Sequence, residues 1–252
     1  MYLQLKISLA MNKKSLRLIC ASALACALIS SCATTKNLRG PFMGKEEMPD
    51  AGVFLPAPPE PGSAMFYSDS CLYEEGKSLR NTARGAMAVA DASTNPHYLA
   101  KIFSEPFGHE ISQEATPEIF LLIKRVIPTA RQAVSGAKDK YMRIRPFVRY
   151  NEPSGYPEDD KGLRGTGSYP SGHSTRGWAI ALVLAEVNPA AQDALLIRGY
   201  EYGQSRVILG VHYQSDVEAA RLSASASVVR MHQSPAFRRQ LKRAQKEFAR
   251  LR

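Results

Sequence analysis

The chain has 252 residues, 44% of them hydrophobic and 22% charged, which excludes wholesale disorder, a collagen-like repeat and a multi-pass membrane protein and points to one water-excluding core. Lys and Arg outnumber Asp and Glu by 33 to 23, a formal net charge of +10. Acidic surfaces, nucleic acid and small anionic substrates are all admissible partners, and charge alone does not choose among them.

Residues 1–31 read as a signal peptide. Lys13, Lys14 and Arg17 precede an uncharged apolar run from Leu18 to Ile29, too short for a spanning helix, which needs about 20 residues. Ile29-Ser30-Ser31-Cys32 resembles a bacterial lipobox, which would make Cys32 the acylated amino terminus; ordinary cleavage at a nearby small residue is the alternative. Ala33 and Thr34 follow with no Asp in second place, which in bacterial lipoproteins points to the outer membrane. Removal of the segment takes away four basic and no acidic side chains, so the net charge falls from +10 to +6. With Cys20 and Cys26 gone and Cys32 acylated, Cys71 is the remaining thiol, and an intramolecular disulfide is ruled out.

Residues 32–62 carry Gly40, Pro41, Gly44, Pro49, Gly52, Pro56, Pro58, Pro59 and Pro61 and read as a tether merging into an extended arm. Residues 63–252 form the remaining domain, with helical punctuation throughout. Ser68 and Asp69 are candidate caps for a helix through Leu72, Leu79 and Met87, and Thr116-Pro117 is a cap followed by Pro at the first helical position. After Pro117, Ile119, Leu122, Ile123, Val126, Ile127 and Ala130 follow the spacing of a buried stripe, with Pro128 predicting a kink. Asn188-Pro189 opens a further helix, and Ser234-Pro235 opens the last. That last helix has Phe237, Leu241, Ala244, Phe248 and Leu251 on one face and Arg238, Arg239, Lys242, Arg243 and Lys246 on the other. It reads as an amphipathic helix packed on the body, with binding to anionic lipid as the alternative. No alternating β-type run and no internal repeat occurs, so the expected fold is an all-α helical bundle.

Three catalytic templates fail. Gly167 to Ser174 has the glycine spacing of a P-loop, but His173 stands where the Lys belongs. Gly172-His173-Ser174-Thr175-Arg176 lacks the second glycine of a nucleophile elbow. Histidines 97, 109, 173, 212 and 232 have no zinc-ligand spacing.

What remains is three blocks rich in cations and His: KDKYMRIRP (138–146), GSYPSGHST (167–175) and SRVILGVHYQSD (205–216). Ser171 and Gly172 directly precede the apolar run Trp178 to Val187, so their N–H groups can cradle an oxyanion at a helix amino terminus. Arg145 and Arg206 offer planar donor forks and Lys138 a point charge, a set suited to phosphoryl oxygens. His212 and Asp216 are four apart, as one helical turn would place them, so the carboxylate can hold one ring nitrogen and free the other to attack.

In order and spacing, Lys138-x6-Arg145-Pro146, Pro170-Ser171-Gly172-His173 and Ser205-Arg206-x5-His212-x3-Asp216 resemble the acid phosphatase and vanadium haloperoxidase superfamily, which also contains the type 2 phosphatidic acid phosphatases. The stretches LRNTARG, YMRIRPF, GSYPSGHS, ALVLAEVNP and GQSRVI are similar to the class A bacterial non-specific acid phosphatases, over a range from about Leu55 to the carboxyl end. The lipobox and tether depart from the soluble periplasmic members. The resemblance implies a helical fold, a dimer or higher homo-oligomer, and periplasmic hydrolysis of small phosphomonoesters with no metal ion or other cofactor. It makes His212 the nucleophile, Asp216 its orienting partner, and His173 the acid to the leaving group and then the base to water. Lys138, Arg145, Arg206, Ser171 and the Gly172 N–H would hold the transferring group. The competing readings are a vanadate-dependent haloperoxidase, a lipid phosphatase acting at a bilayer surface, and a basic lipoprotein that binds polyanions without catalysis; specific nucleic-acid binding is not expected.

Overall fold

In the computed structural model, which describes residues 40–251, all regular structure is helical, as the breaker-and-cap punctuation predicts. The principal helices are α1 (Ala64–Ser78), α2 (Ala83–Ala90), α3 (Pro96–Phe107), α4 (Pro117–Tyr141), α5 (Gly172–Val187), α6 (Gln192–Ile208), α7 (Gln214–Met231) and α8 (Pro235–Phe248). Short polar side chains start many of them by accepting otherwise unpaired N–H groups: Ser63 from Phe66, Thr82 from Gly85, Asn95 from His97, Ser171 from Ser174 and Ser234 from Phe237.

α5 is apolar on nearly every side beyond its first turn and is therefore buried, with α4, α6 and α7 packed around it. The expected stripe on α4 is the heart of the main core: Ile119, Leu122, Ile123 and Val126 lie against Leu99, Phe103, Ile180 and Leu184. Each such side chain contributes roughly 1.5–3 kcal/mol on burial. α4 continues as a helix past Pro128 to Tyr141. α8 packs on the body as expected, Phe237, Leu241, Ala244 and Phe248 inward and its five basic residues exposed, while Leu251 beyond its end stays outside.

Three local readings need correction. α1 is capped by Ser63, not by Ser68 or Asp69; Asp69 is buried in the second turn, where its carboxylate serves another purpose described below. Thr116 occupies the N-cap position of α4, but its hydroxyl donates to the Glu110 carbonyl at 3.2 Å, and Glu247 of α8 accepts instead from the N–H groups of Glu118 and Ile119. A carboxylate at that helix start is favoured by the dipole as well as by the hydrogen bonds. Asn188 opens only a 3-10 turn, Pro189–Ala191, ahead of α6, and its amide donates to the Phe107 carbonyl at 2.9 Å.

The arm also differs from its reading. The compact unit begins at Pro41 rather than at residue 63. Breakers do deny residues 41–62 more than the short turns Lys45–Glu47 and Ala51–Phe54. Even so, Phe42, Met43, Met48 and Leu55 are buried, and Ala51 and Leu55 cluster with Val134, Ala137 and Tyr169 beside the site-bearing end of α4. Residues 1–39, including the signal segment, Cys32 and the start of the tether, lie outside the described residues.

Close approach of α5 and α6 places Tyr202 against Gly177: a Cβ there would meet the Tyr202 ring at 2.3 Å. That ring stacks on His173 with centroids 4.5 Å apart and planes 16° apart. Gly177→Ala should therefore cost about 1–3 kcal/mol by overpacking, read as a lowered melting temperature, and should reduce turnover by displacing the Tyr202–His173 stack. A variant with wild-type melting and turnover would show that the interface yields freely.

Candidate active site

Two helix starts and one helix end meet around a cavity of about 500 Å³. α5 begins at Gly172, capped by Ser171; α7 begins at Gln214, just after His212; and α4 ends a few residues beyond Lys138. A backbone hydrogen bond from the Ser171 N–H to the Asp216 carbonyl, 3.0 Å, ties the two starts together. Lys138, Arg145, Gly172, His173, Arg206 and His212 all line the cavity, so the three blocks separated in sequence converge. Gly162, Leu163, Gly165, Thr166 and Gly167 supply a further part of the wall.

His212 is buried and sits two residues before α7, so the four-residue spacing to Asp216 works across a helix start rather than along a helical turn. Its Nδ1 lies 3.4 Å from Asp216 Oδ2, an ion-pair distance without good hydrogen-bond alignment, and the Ser168 backbone also favours a proton on this ring. Arg145 Nη1 approaches Nε2 at 3.2 Å. A guanidinium only donates, so Nε2 is the lone-pair nitrogen and Nδ1 carries the hydrogen. Burial, then Arg145, Lys138 and Arg206, hold the His212 pKa well below the usual imidazole value. The ring is thus kept neutral, with its lone pair on Nε2.

His173, in the first turn of α5, places Nε2 at 2.6 Å from the Asp91 carbonyl. A carbonyl only accepts, so this nitrogen keeps its hydrogen and the proton that comes and goes is on Nδ1. Its pKa is also lowered, first by burial and then by Arg206, against the opposing pull of the Asp91 carbonyl.

The cations are held by backbone oxygens. Lys138 donates to the Gly167 carbonyl at 2.9 Å; burial, followed by Arg145, lowers it to about 7. Arg145 spreads its fork over the Val211 carbonyl (2.8 Å), the Thr166 hydroxyl (3.0 Å) and the Gly167 carbonyl (3.2 Å). Arg206 is buried and its Nε and Nη1 have no protein acceptor. An unpaired buried guanidinium is costly, and a bound oxyanion is what would complete it. Among the described residues no three His, Cys, Asp or Glu side chains converge as a metal site, and no helix is long and apolar enough to cross a membrane.

Two groups of supporting residues, around Arg143 and around Asp91, carry no signal in the sequence. Arg143 is buried between Asp69 and Asp216, bonding to both carboxylates, and Ser215 also binds Asp69. This fixes Asp216, whose Oδ2 in addition accepts from the Tyr213 N–H at 2.9 Å. Asp91, at the end of α2, is held by Arg198, Tyr98 and Ser205, so the carbonyl that grips His173 is itself fixed. The Ser205 of the third block therefore acts through Asp91.

Residues 121–240 match the PAP2 superfamily. The chain is 48% identical over 211 residues to a non-specific acid phosphatase of Providencia stuartii, covering 83% of this chain and 85% of that one. It is 37% identical over 221 residues to a non-specific acid phosphatase of Salmonella typhimurium, with 87% and 88% covered, and 34% identical over 203 residues to an acid phosphatase of Zymomonas mobilis, with 81% and 77% covered.

Arg143→Leu strands two buried carboxylates and should cost about 3–5 kcal/mol, seen in denaturant unfolding. Asp69→Asn, which leaves Arg143 paired with Asp216, should cost less. If the two variants are equally stable, the bridge is not what holds Asp216.

Proposed function

The chain belongs to the bacterial non-specific acid phosphatases of the PAP2 superfamily, and we propose that it hydrolyses phosphomonoesters through a phosphohistidine formed on His212 without a metal ion. The observation that supports this most directly is the contact between Arg145 and His212 Nε2, which assigns the lone pair to that nitrogen in a cavity-lining ring that burial, Arg145, Lys138 and Arg206 keep neutral.

Lys138, Arg145 and Arg206, with the Gly172 N–H, line the cavity and receive the three non-bridging oxygens of the substrate, while the buried Ser171, whose hydroxyl accepts from Ser174, caps the helix that presents that N–H. Nε2 of His212 forms the P–N bond as the ester P–O bond breaks, and the departing oxygen takes the proton from Nδ1 of His173. His173, now neutral, removes a proton from the water that attacks phosphorus; the P–N bond breaks, releasing inorganic phosphate and restoring both rings. Asp216 stabilises the charge that His212 acquires while it carries phosphorus. Broad substrate range follows from a site that grips the phosphoryl group through charge and leaves the rest of the substrate in an open cavity.

The pH dependence has a definite sign. Catalysis needs His173 charged, and its folded pKa lies below the ordinary value of about 6.5, so activity is lost as pH rises through that lowered value. The same depression means that the unfolded chain binds protons first as pH falls below about 6.5, so the stability supplied by the two neutral rings is full above that pH and declines beneath it. A bound phosphate dianion opposes the neighbouring cations and raises both rings.

We further read residues 1–31 as a secretion signal and Cys32 as a lipid anchor that holds the mature enzyme in the periplasm at the outer membrane, working as a dimer or higher homo-oligomer. The lipobox sequence supports the anchor.

Rapid-quench experiments in EDTA test the mechanism. Wild type should yield an acid-labile, base-stable phosphoenzyme, and His212→Ala none. His173→Ala should lower the phosphorylation burst about 10²–10⁴-fold with alkyl phosphates and less with p-nitrophenyl phosphate, whose phenolate leaves unaided; the wild-type kcat/KM should peak below neutrality. Equal burst losses for the two ester types, or turnover abolished by the chelator, would overturn the scheme. For the anchor, wild type should partition into detergent and Cys32→Ser into water; wild type in the aqueous phase would refute lipidation.

A further inference from the structure

Two arginines in the cavity have no part in the chemistry above. Arg131 lies on α4 two turns before Lys138, and Arg176 lies on α5 one turn after His173; both line the same cavity as the reacting groups. Arg176 is half-buried, its Nε is shut off from solvent without any acceptor, and the ion pairs that arginines form in the described residues engage Arg143 and Arg198 instead. Neither guanidinium ties the fold together by a hydrogen bond. The carboxylate nearest in the lining, Asp139, is exposed at the rim, while Lys138, Arg145 and Arg206 add three more positive charges to the same walls.

Like charges brought together cost free energy unless an anion lies between them, and the cost falls on half-buried Arg176, where water screens less than at exposed Arg131. Burial, and after it Arg131, push Arg176 down from its ordinary value, which is the physical mark of that unrelieved crowding. The phosphoryl cradle already has its cations. The position of the extra pair follows from helix geometry: α4 and α5 pass each other with Lys138 beside Gly172, whose added Cβ would lie 3.6 Å from Lys138 Cε. At about 1.5 Å of rise per residue, Arg131 is about 10 Å along α4 from Lys138 and Arg176 about 6 Å along α5 from Gly172.

We propose that Arg131 and Arg176 form a second anion subsite, which makes phosphomonoesters bearing a second phosphate several bonds from the transferred one preferred substrates. The proposal rests on the phosphatase reading. The separation is too long for the adjoining phosphate of a diphosphate and suits a bisphosphorylated sugar or nucleoside, one phosphate in the cradle against His212 and the other between the two arginines. His173, between the two positions on α5, then faces the ester oxygen that joins the first phosphate to the sugar. Val134 and Ser135, one turn of α4 from both ends, line the interval where the sugar would lie.

The test uses the full chain with fructose 1,6-bisphosphate and fructose 6-phosphate as paired substrates, initial phosphate release being followed at low and high NaCl. Wild type should show the higher kcat/KM with the bisphosphate, an advantage that shrinks as salt screens the second contact. Arg176→Gln and Arg131→Gln should each lower the ratio of bisphosphate to monophosphate kcat/KM about tenfold or more, chiefly through KM, and Arg176→Lys should restore part of it. Because Arg131 is exposed, its variant keeps the test alive should Arg176→Gln fail to fold. A ratio unchanged in the variants, with both substrates still hydrolysed, overturns the subsite and leaves the phosphatase reading standing; no hydrolysis of either substrate by wild type overturns both.

Discussion

The structure depends on keeping several positive charges close together in a place where water is scarce. Lys138, Arg145 and Arg206 all face one cavity, and burial disfavours the charge on each of them. Such a set is unstable by itself, and the surroundings are arranged to tolerate it. Carbonyls of Gly167 and Val211 solvate Lys138 and Arg145, Asp216 supplies a single buried negative charge, and Arg206 is left with donors unspent. The carboxylate cannot be allowed to pair with those cations outright, since that would fill the anion's place. Arg143 and the Tyr213 N–H hold it off to one side, where it touches His212 instead.

This explains why the helices take the places they do. An oxyanion site needs N–H groups whose partners are missing, and these exist at helix starts; hence α5 begins at the cavity, whereas the N–H groups at the start of α7 are taken by Asp69 and Asp216 and serve to hold those carboxylates. For α5 to begin there it must run through the centre of the bundle, and its sequence permits this because everything after the first turn, apart from Arg176 and Glu186 near its far end, is small or apolar. The glycines at 177 and 199 then let α6 come close enough to bring Tyr202 over His173 and Asp91 within reach of Ser205. Packing and site geometry are therefore not separable along α5: the residues that build the core also fix the angle of the His173 ring.

The bundle, and the cationic and histidine residues that share one cavity, were legible in the sequence for a simple reason. Caps, prolines and the stripe on α4 are local signals, and His, Arg and Lys advertise their chemistry wherever the fold puts them. The supports were not legible because their partners are remote. Arg143 meets Asp69 across 74 residues and Arg198 meets Asp91 across 107, and nothing local marks either carboxylate as buried. Asp69 was mistaken for a cap because an acidic residue near a helix start usually is one. The arm misled in the opposite way: its prolines truthfully exclude long helices, but Phe42, Met43 and Met48 have no period to betray that they are core.

That docked arm has a mechanical meaning. The Phe42 N–H is held by Thr129, Glu47 by Arg230, Gly52 by Lys140 and Pro56 by the Tyr169 hydroxyl, in chain order. Tension applied at the amino end would load these clasps one after another, as a zipper is opened, and not all at once as in shear. The last two to be loaded lie two residues from Lys138 and two from Ser171. A chain held by its amino end and dragged by flow would strain the Phe42 clasp before those of Gly52 and Pro56, which adjoin the walls of the cavity.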